Sequence, residues 1–168
     1  MFEGEKTIYC LDTNVLIQAW QHYYAPDICP GYWDTLKKLG EKGIVFIPNV
    51  VFEEIEKDED DLYSWLKNSG IPKRKIDGMV TKCLKDIYAN HPDNQLLVAE
   101  NGKHSKADPW VIAHAIKESA VVVTKEKKDQ IINKKKIKIP HVCDNMNVRW
   151  IDDFTFIKEL GIKFNCSF

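Results

Sequence analysis

A chain of 168 residues, 44% apolar and 29% charged, is long enough to bury a core and too apolar to stay disordered. No apolar run approaches the roughly 20 residues of a membrane helix. The start, MFEGEKTIYC, has no basic segment followed by an apolar one, so no signal peptide is expected. A net charge of −1 announces no polyanionic partner. Five scattered cysteines without a CxxC pair argue against a disulfide framework or structural zinc, and for a reduced, cytoplasmic setting.

In chain order, TIYCL (7–11) predicts a short buried strand, and a helix pattern runs from about Asn14 to His22. APDICPGYW, with two prolines and a glycine, predicts a loop, followed by an amphipathic helix over YWDTLKKLGEKG. IVFIP (44–48) is the second expected strand, and NVVFEEIEK a helix with Asn49 as its N-cap. The middle, DDLYSWLKNSG and KIDGMVTKCLKDIYAN, is helical in pattern. KADPWVIAHAIKES (106–119) predicts a helix with Pro109 in its first turn, and AVVVT (120–124) a β-branched third strand. KKIKIP and VRWI read as two further short strands, and DDFTFIKELG as the last helix. Short apolar strands alternating with helices predict one domain over 1–168, a three-layer α/β/α sandwich on a central parallel sheet.

Charge is unevenly placed. Residues 53–61, EEIEKDEDD, hold seven acids, whereas residues 117–138 hold eight lysines. A neutral total can therefore hide a basic surface. In parallel α/β folds ligands bind beyond the carboxyl ends of the strands. Asp12 ends the first expected strand, Glu53 and Glu54 follow the second, and Asp108 opens the helix leading into the third. Thr124 ends that strand, with Glu126 two residues on. Taken singly, each has a structural explanation: Asp12 and Asp108 as helix starts, the glutamates as solvated surface. Jointly they place acids at matching ends of successive strands. Gathered carboxylates repel, and a hard divalent cation such as Mg²⁺ or Mn²⁺ relieves that repulsion. Such a site activates water and stabilises charge on a phosphodiester.

CLDTNVLI, IPNVVFEEI, KADPWVIAHA and VVVTKEK, in that order, resemble the four blocks of PIN-domain ribonucleases. YCLDTNVLIQAWQHYYAPDICPGYW, DDLYSWL and IPHVCDNMNVRWIDD narrow the resemblance to a PIN-like family catalogued as a domain of unknown function; it runs from about residue 8 to the C-terminus. The resemblance implies an α/β/α fold and metal-dependent cleavage of RNA, and many relatives of this kind are toxins of toxin–antitoxin pairs. It implies Asp12, Glu54, Asp108 and Glu126 as catalytic acids, with Asp12, Asp108 and Glu54 on the metal, and Asn14 and Thr124 orienting the carboxylates. The fourth block usually reads Thr/Ser-x-Asp; here Glu126 keeps the charge with one more methylene.

Lys125, Lys127, Lys128, Lys134 and Lys135 are candidates for contacts to an RNA backbone. Trp20, Tyr23, Tyr24, Tyr32 and Trp33 are candidates for base stacking or for core. His114, without a second histidine at metal spacing, reads as structural. Expected partners are an RNA substrate and an inhibitory protein antitoxin, with a homodimer as a further association and no membrane. The alternative is a PIN fold that binds RNA or protein without cutting. An aspartyl phosphotransferase needs Asp-x-Asp, and Asn14 stands in the second acid's place. A DNA nuclease would use similar metal chemistry, and only the resemblance favours RNA.

Overall fold

The computed structural model describes residues 6–58, 60–97, 106–131 and 136–167. Strand β1 (Tyr9–Leu11) is buried at all three residues, as befits a strand covered on both faces. Asp12 caps helix α1 (Thr13–Gln18), which runs on into a π-helical segment, Ala19–Tyr23. Helix α2 (Pro30–Glu41) starts inside the stretch expected to be loop, because Pro30 occupies its first turn, where a missing N–H costs nothing. Strand β2 (Val45–Pro48) leads directly into α3 (Asn49–Glu56).

The N-cap of α3 is Pro48, in extended geometry, and not Asn49. The Asn49 amide instead donates to Glu53, one turn on, at 2.7 Å. Helix α4 (Asp61–Asn68) is capped by Asp60, and a two-residue strand β3 (Lys73–Arg74) follows. Helix α5 (Gly78–Asn90) is capped by Asp77, and a 3₁₀ turn covers Pro92–Leu97. Helix α6 (Asp108–Glu118) carries Pro109 in its first turn as expected, and β4 (Val121–Val123) comes next.

KKIKIP is not a strand: described residues 136–138 are irregular, and helix α7 (Ile139–Asn145) begins within it. The Lys–Ile alternation mimics a strand period, but Pro140 lacks the ladder N–H and suits a first helical turn. Strand β5 (Trp150–Ile151) and helix α8 (Asp153–Glu159) complete the chain.

All strand pairings are parallel, in the order β3-β2-β1-β4-β5. The chain first moves outward from β1 to β2 and β3, then returns to the other side of β1 for β4 and β5. Right-handed crossovers in opposite directions put helices on opposite faces, which yields the α/β/α sandwich. Helix α6 packs across β1, β2 and β4, with α5 against its outer side, while α2 and α3 pack on β2. One packing contact is especially close: a Cβ at Gly40 would meet Ile71 Cγ1 at 2.7 Å, so α2 approaches the segment before β3 through a position that admits only glycine. The five cysteines are all free. No described helix is long and apolar enough to cross a membrane.

Candidate active site

The reversal of strand order falls between β1 and β4, where an open parallel sheet leaves a crevice beyond its strand ends. Asp12 is the first residue past β1, and its N–H still donates to Val123 O of β4 at 3.0 Å. Its side chain is 2% exposed. Oδ1 accepts the Thr13 N–H at 2.7 Å, and Oδ2 accepts the Thr124 hydroxyl at 3.0 Å. Thr124 Oγ1 in turn accepts the Glu126 N–H at 3.1 Å, which fixes the direction of its proton toward Asp12. Asp12 is thus an N-cap and a cleft carboxylate at once.

Asp108 opens α6 and is buried. Burial, then the negative charge of Asp108, then that of Glu126, push the Asp12 carboxyl from 3.8 up to about 8; the bonds from Thr124 and Thr13 offset only part of this. Three carboxylates therefore share one field.

Glu54 lies on the second turn of α3. Its Oε2 accepts the Thr13 hydroxyl at 2.8 Å and its Oε1 the Ala107 N–H at 3.1 Å. The side chain thereby ties the start of α1 to the start of α6, the two helices that follow Asp12 and carry Asp108. Glu53 is exposed and engages Asn49. Glu126 Oε2 accepts the Ile139 N–H at 2.8 Å, an otherwise orphaned donor at the N-terminus of α7. Asn14 is exposed on the first turn of α1. Beside Thr124, the hydroxyl of Thr13, to which sequence reasoning gave no role, also reaches a site carboxylate.

Among the described residues, no three or more His, Cys, Asp or Glu side chains form a group able to hold a metal ion. The acids are gathered as charges but not closed into a cage. What the donor set offers a hard cation is oxygen alone, with Asp12 and Asp108 nearest in charge. That fits Mg²⁺ or Mn²⁺, which take one or two carboxylates and fill the remaining positions with water and phosphate oxygens.

The basic stretch divides between paired and exposed lysines. Lys125 is withdrawn from the surface: its amine pairs with buried Asp153 at 2.8 Å, since a cation taken out of water needs a counter-charge. Lys128 pairs with Asp144 and Lys138 with Asp129, each at 2.6 Å. Lys127 is exposed, while Lys134 and Lys135 lie outside the described residues. Of the five aromatics, Tyr32 and Trp33 are core; Tyr24 stacks on Tyr32 at 4.4 Å, and Trp20 and Trp65 close on Trp33 at 4.7 and 4.8 Å. Tyr23 is the exposed one, at 51%. His114 is fully buried in α6, as expected for a structural residue, yet neither ring nitrogen has a hydrogen-bond partner among the described residues.

A family model described as "Domain of unknown function (DUF4411)" matches residues 9–164. No curated protein matches the sequence. Among solved structures, the crystal structure of VapBC2 from Rickettsia felis, bound to a DNA fragment from their promoter, is similar with a TM-score of 0.55 at 19% identity. The match covers 87% of this chain and 98% of that one, a likeness of fold.

Proposed function

The chain belongs to the family described as Domain of unknown function DUF4411 and has a PIN-like fold, and from that premise we propose that it is a metal-dependent endoribonuclease, the toxin of a toxin–antitoxin pair. The observation that supports this most is the surplus of negative charge where the strand order reverses. Asp12 is held there under the charges of Asp108 and Glu126 until its carboxyl retains a proton to about 8. Such a cluster is unfavourable by itself and is relieved by a divalent cation.

Asp12 and Asp108 would hold the ion directly, and Glu54 directly or through water. Bound there, Mg²⁺ or Mn²⁺ would supply an acidified water and neutralise charge developing on the phosphodiester. The Thr124 hydroxyl holds Asp12 in one orientation, and Glu54 fixes the spacing of the helices that follow Asp12 and carry Asp108. Glu126 adds charge while it caps α7.

Purified protein should cut single-stranded RNA with Mn²⁺ or Mg²⁺ and stop with EDTA. Asp12→Asn and Asp108→Asn should each abolish cutting with the fold intact. Cutting that survives in both would refute the site. For the toxin assignment, expression alone should slow growth, Asp12→Asn should relieve it, and the product of the adjacent gene should co-purify. An arginine or lysine of that partner would pair with Asp12 and Asp108 in place of the ion. A harmless wild-type protein with no partner would refute that assignment.

A second reading, a fold that binds RNA or protein without cutting, is favoured by one observation: no described group of three acids can hold an ion. RNA binding without cleavage in any divalent metal would select it.

A further inference from the structure

Beside the carboxylates lies a feature that the site chemistry leaves unused. Thr124 and Lys125 are consecutive, with Cα atoms about 3.8 Å apart, and their side chains serve different neighbours. Thr124 donates to Asp12. The Lys125 ammonium sits 4.3 Å from the ring centre of Tyr23 and 4.6 Å from that of Phe154. The two rings contact each other edge to face, with centroids 5.9 Å apart. Tyr23 ends the π-helical segment after α1, and Phe154 lies in the first turn of α8, so separate elements bring them together at the carboxyl edge of the sheet.

Burial separates this group into a fixed base and an open top. Asp153 is 1% exposed and the Lys125 side chain 12%, so the ion pair is held in the protein. The second oxygen of Asp153 has no hydrogen-bond partner among the described residues. Tyr23 and Phe154 are 51% and 45% exposed. The ammonium is spent on Asp153 and on the rings, which leaves it unsuited to holding a phosphate. The rings keep surface in water that burial would release.

We propose that Tyr23 and Phe154, held over Lys125, form a subsite that stacks an unpaired base of a single-stranded nucleic acid whose backbone lies at Asp12 and Asp108. The proposal rests on the nuclease reading above. Aromatic faces take any base, so the subsite would position a strand without selecting its sequence. Size argues for a base over a protein. A stable protein interface takes about 800 Å² from each partner, far more than two half-exposed rings supply, whereas one base covers a ring. Location argues the same way, because a strand cut at Asp12 must carry its flanking bases across one edge of the crevice.

The test is cleavage of a labelled single-stranded RNA of about 12 nucleotides in Mn²⁺, with KM and kcat separated. Tyr23→Ala and Phe154→Ala should each raise KM by roughly 5- to 150-fold, the loss expected for one stacked base. Tyr23→Phe and Phe154→Tyr should restore it, and melting temperatures should show all four variants folded. Phe154→Trp adds a readout that a purely structural ring would not move: its emission should fall on adding single-stranded RNA and not on adding the duplex. Unchanged KM in both alanine variants overturns the subsite and leaves the nuclease standing. Quenching by single-stranded RNA without any cleavage supports the subsite and removes the nuclease. Neither quenching nor cleavage overturns both. Alanine variants that keep RNA cleavage but lose the neighbouring gene's protein would assign the rings to that partner and overturn the proposal.

Discussion

Asp12→Asn should make the metal-free protein more stable above neutral pH, and by an amount that grows with pH. In the unfolded chain the carboxyl titrates near 3.8; in the folded chain it is raised to about 8. Between these values the native state holds a proton that the unfolded state has lost, so stability falls as pH rises. At about 1.36 kcal/mol per tenfold change in proton affinity, full ionisation inside the fold costs roughly 6 kcal/mol. Asparagine removes that cost but not for nothing. Its Oδ1 can still accept the Thr13 N–H, but an amide in place of Oδ2 can only donate, so the Thr124 hydroxyl proton, held toward Asp12 by the bond from Glu126, loses its acceptor. That mismatch costs about 1–3 kcal/mol at any pH. Near pH 5 the variant should therefore be slightly less stable than the wild type, and near pH 9 more stable by a few kcal/mol. For a chain of this size that corresponds to a melting temperature roughly 5–15 °C higher. Urea or thermal unfolding in EDTA at pH 5, 7 and 9 measures it. Parallel curves for the two proteins would refute the claim that Asp12 sits in a crowded negative field.

Saturating Mn²⁺ should offset much of that difference: at a hundred times its dissociation constant an ion adds about 2.7 kcal/mol to the wild type, read as a raised melting temperature. Equal rises in Asp12→Asn and Asp108→Asn would count against both as ligands. Thr13→Val keeps the β-branched shape but removes a donor from Glu54, at a cost of about 1–3 kcal/mol; RNA cleavage should fall with it, and no change in either quantity would dismiss the tie between α1 and α6. Burial holds His114 down to about 4 from 6.5, so the unfolded chain takes up a proton first and the wild type loses up to about 3 kcal/mol as pH falls through that range. His114→Met should lose less, and identical acid unfolding in the two proteins would show that the ring is not held neutral by its surroundings.

The sheet was legible where sequence runs were long and apolar. TIYCL, IVFIP and AVVVT became β1, β2 and β4, the three adjacent central strands, because strands covered on both faces have no polar side to disguise them. The edge strand β3, Lys73–Arg74, carries no such signal: two charged residues pair with β2 only because the chain passes there. Helix α7 was hidden by alternation in KKIKIP, where Pro140 was the better guide. The acids could be placed at strand ends from their spacing. Of their hydroxyl partners, Thr124 was named through the resemblance, but Thr13 was not, because it meets Glu54 across 41 residues and which hydroxyl turns inward depends on the exact turn of α1. The pairing of Tyr23 with Phe154 was invisible for the same reason: α8 is brought beside the end of the first helical segment by the sheet and by no local pattern.

The placement of β4 beside β1 also sets a clock. Asp12 leaves the ribosome before Thr124, whose hydroxyl orients it and which lies 112 residues later. At roughly 5–20 residues per second, about 6–22 s of synthesis separate the two. Through that interval β1 has no β4 to pair with, and neither Asp108 nor Glu126 is present for most or all of it. The acidic crevice thus comes into being only once Thr124 and Glu126 have emerged, so a chain cut short before β4 would carry Asp12 with neither its hydroxyl partner nor the neighbouring charge.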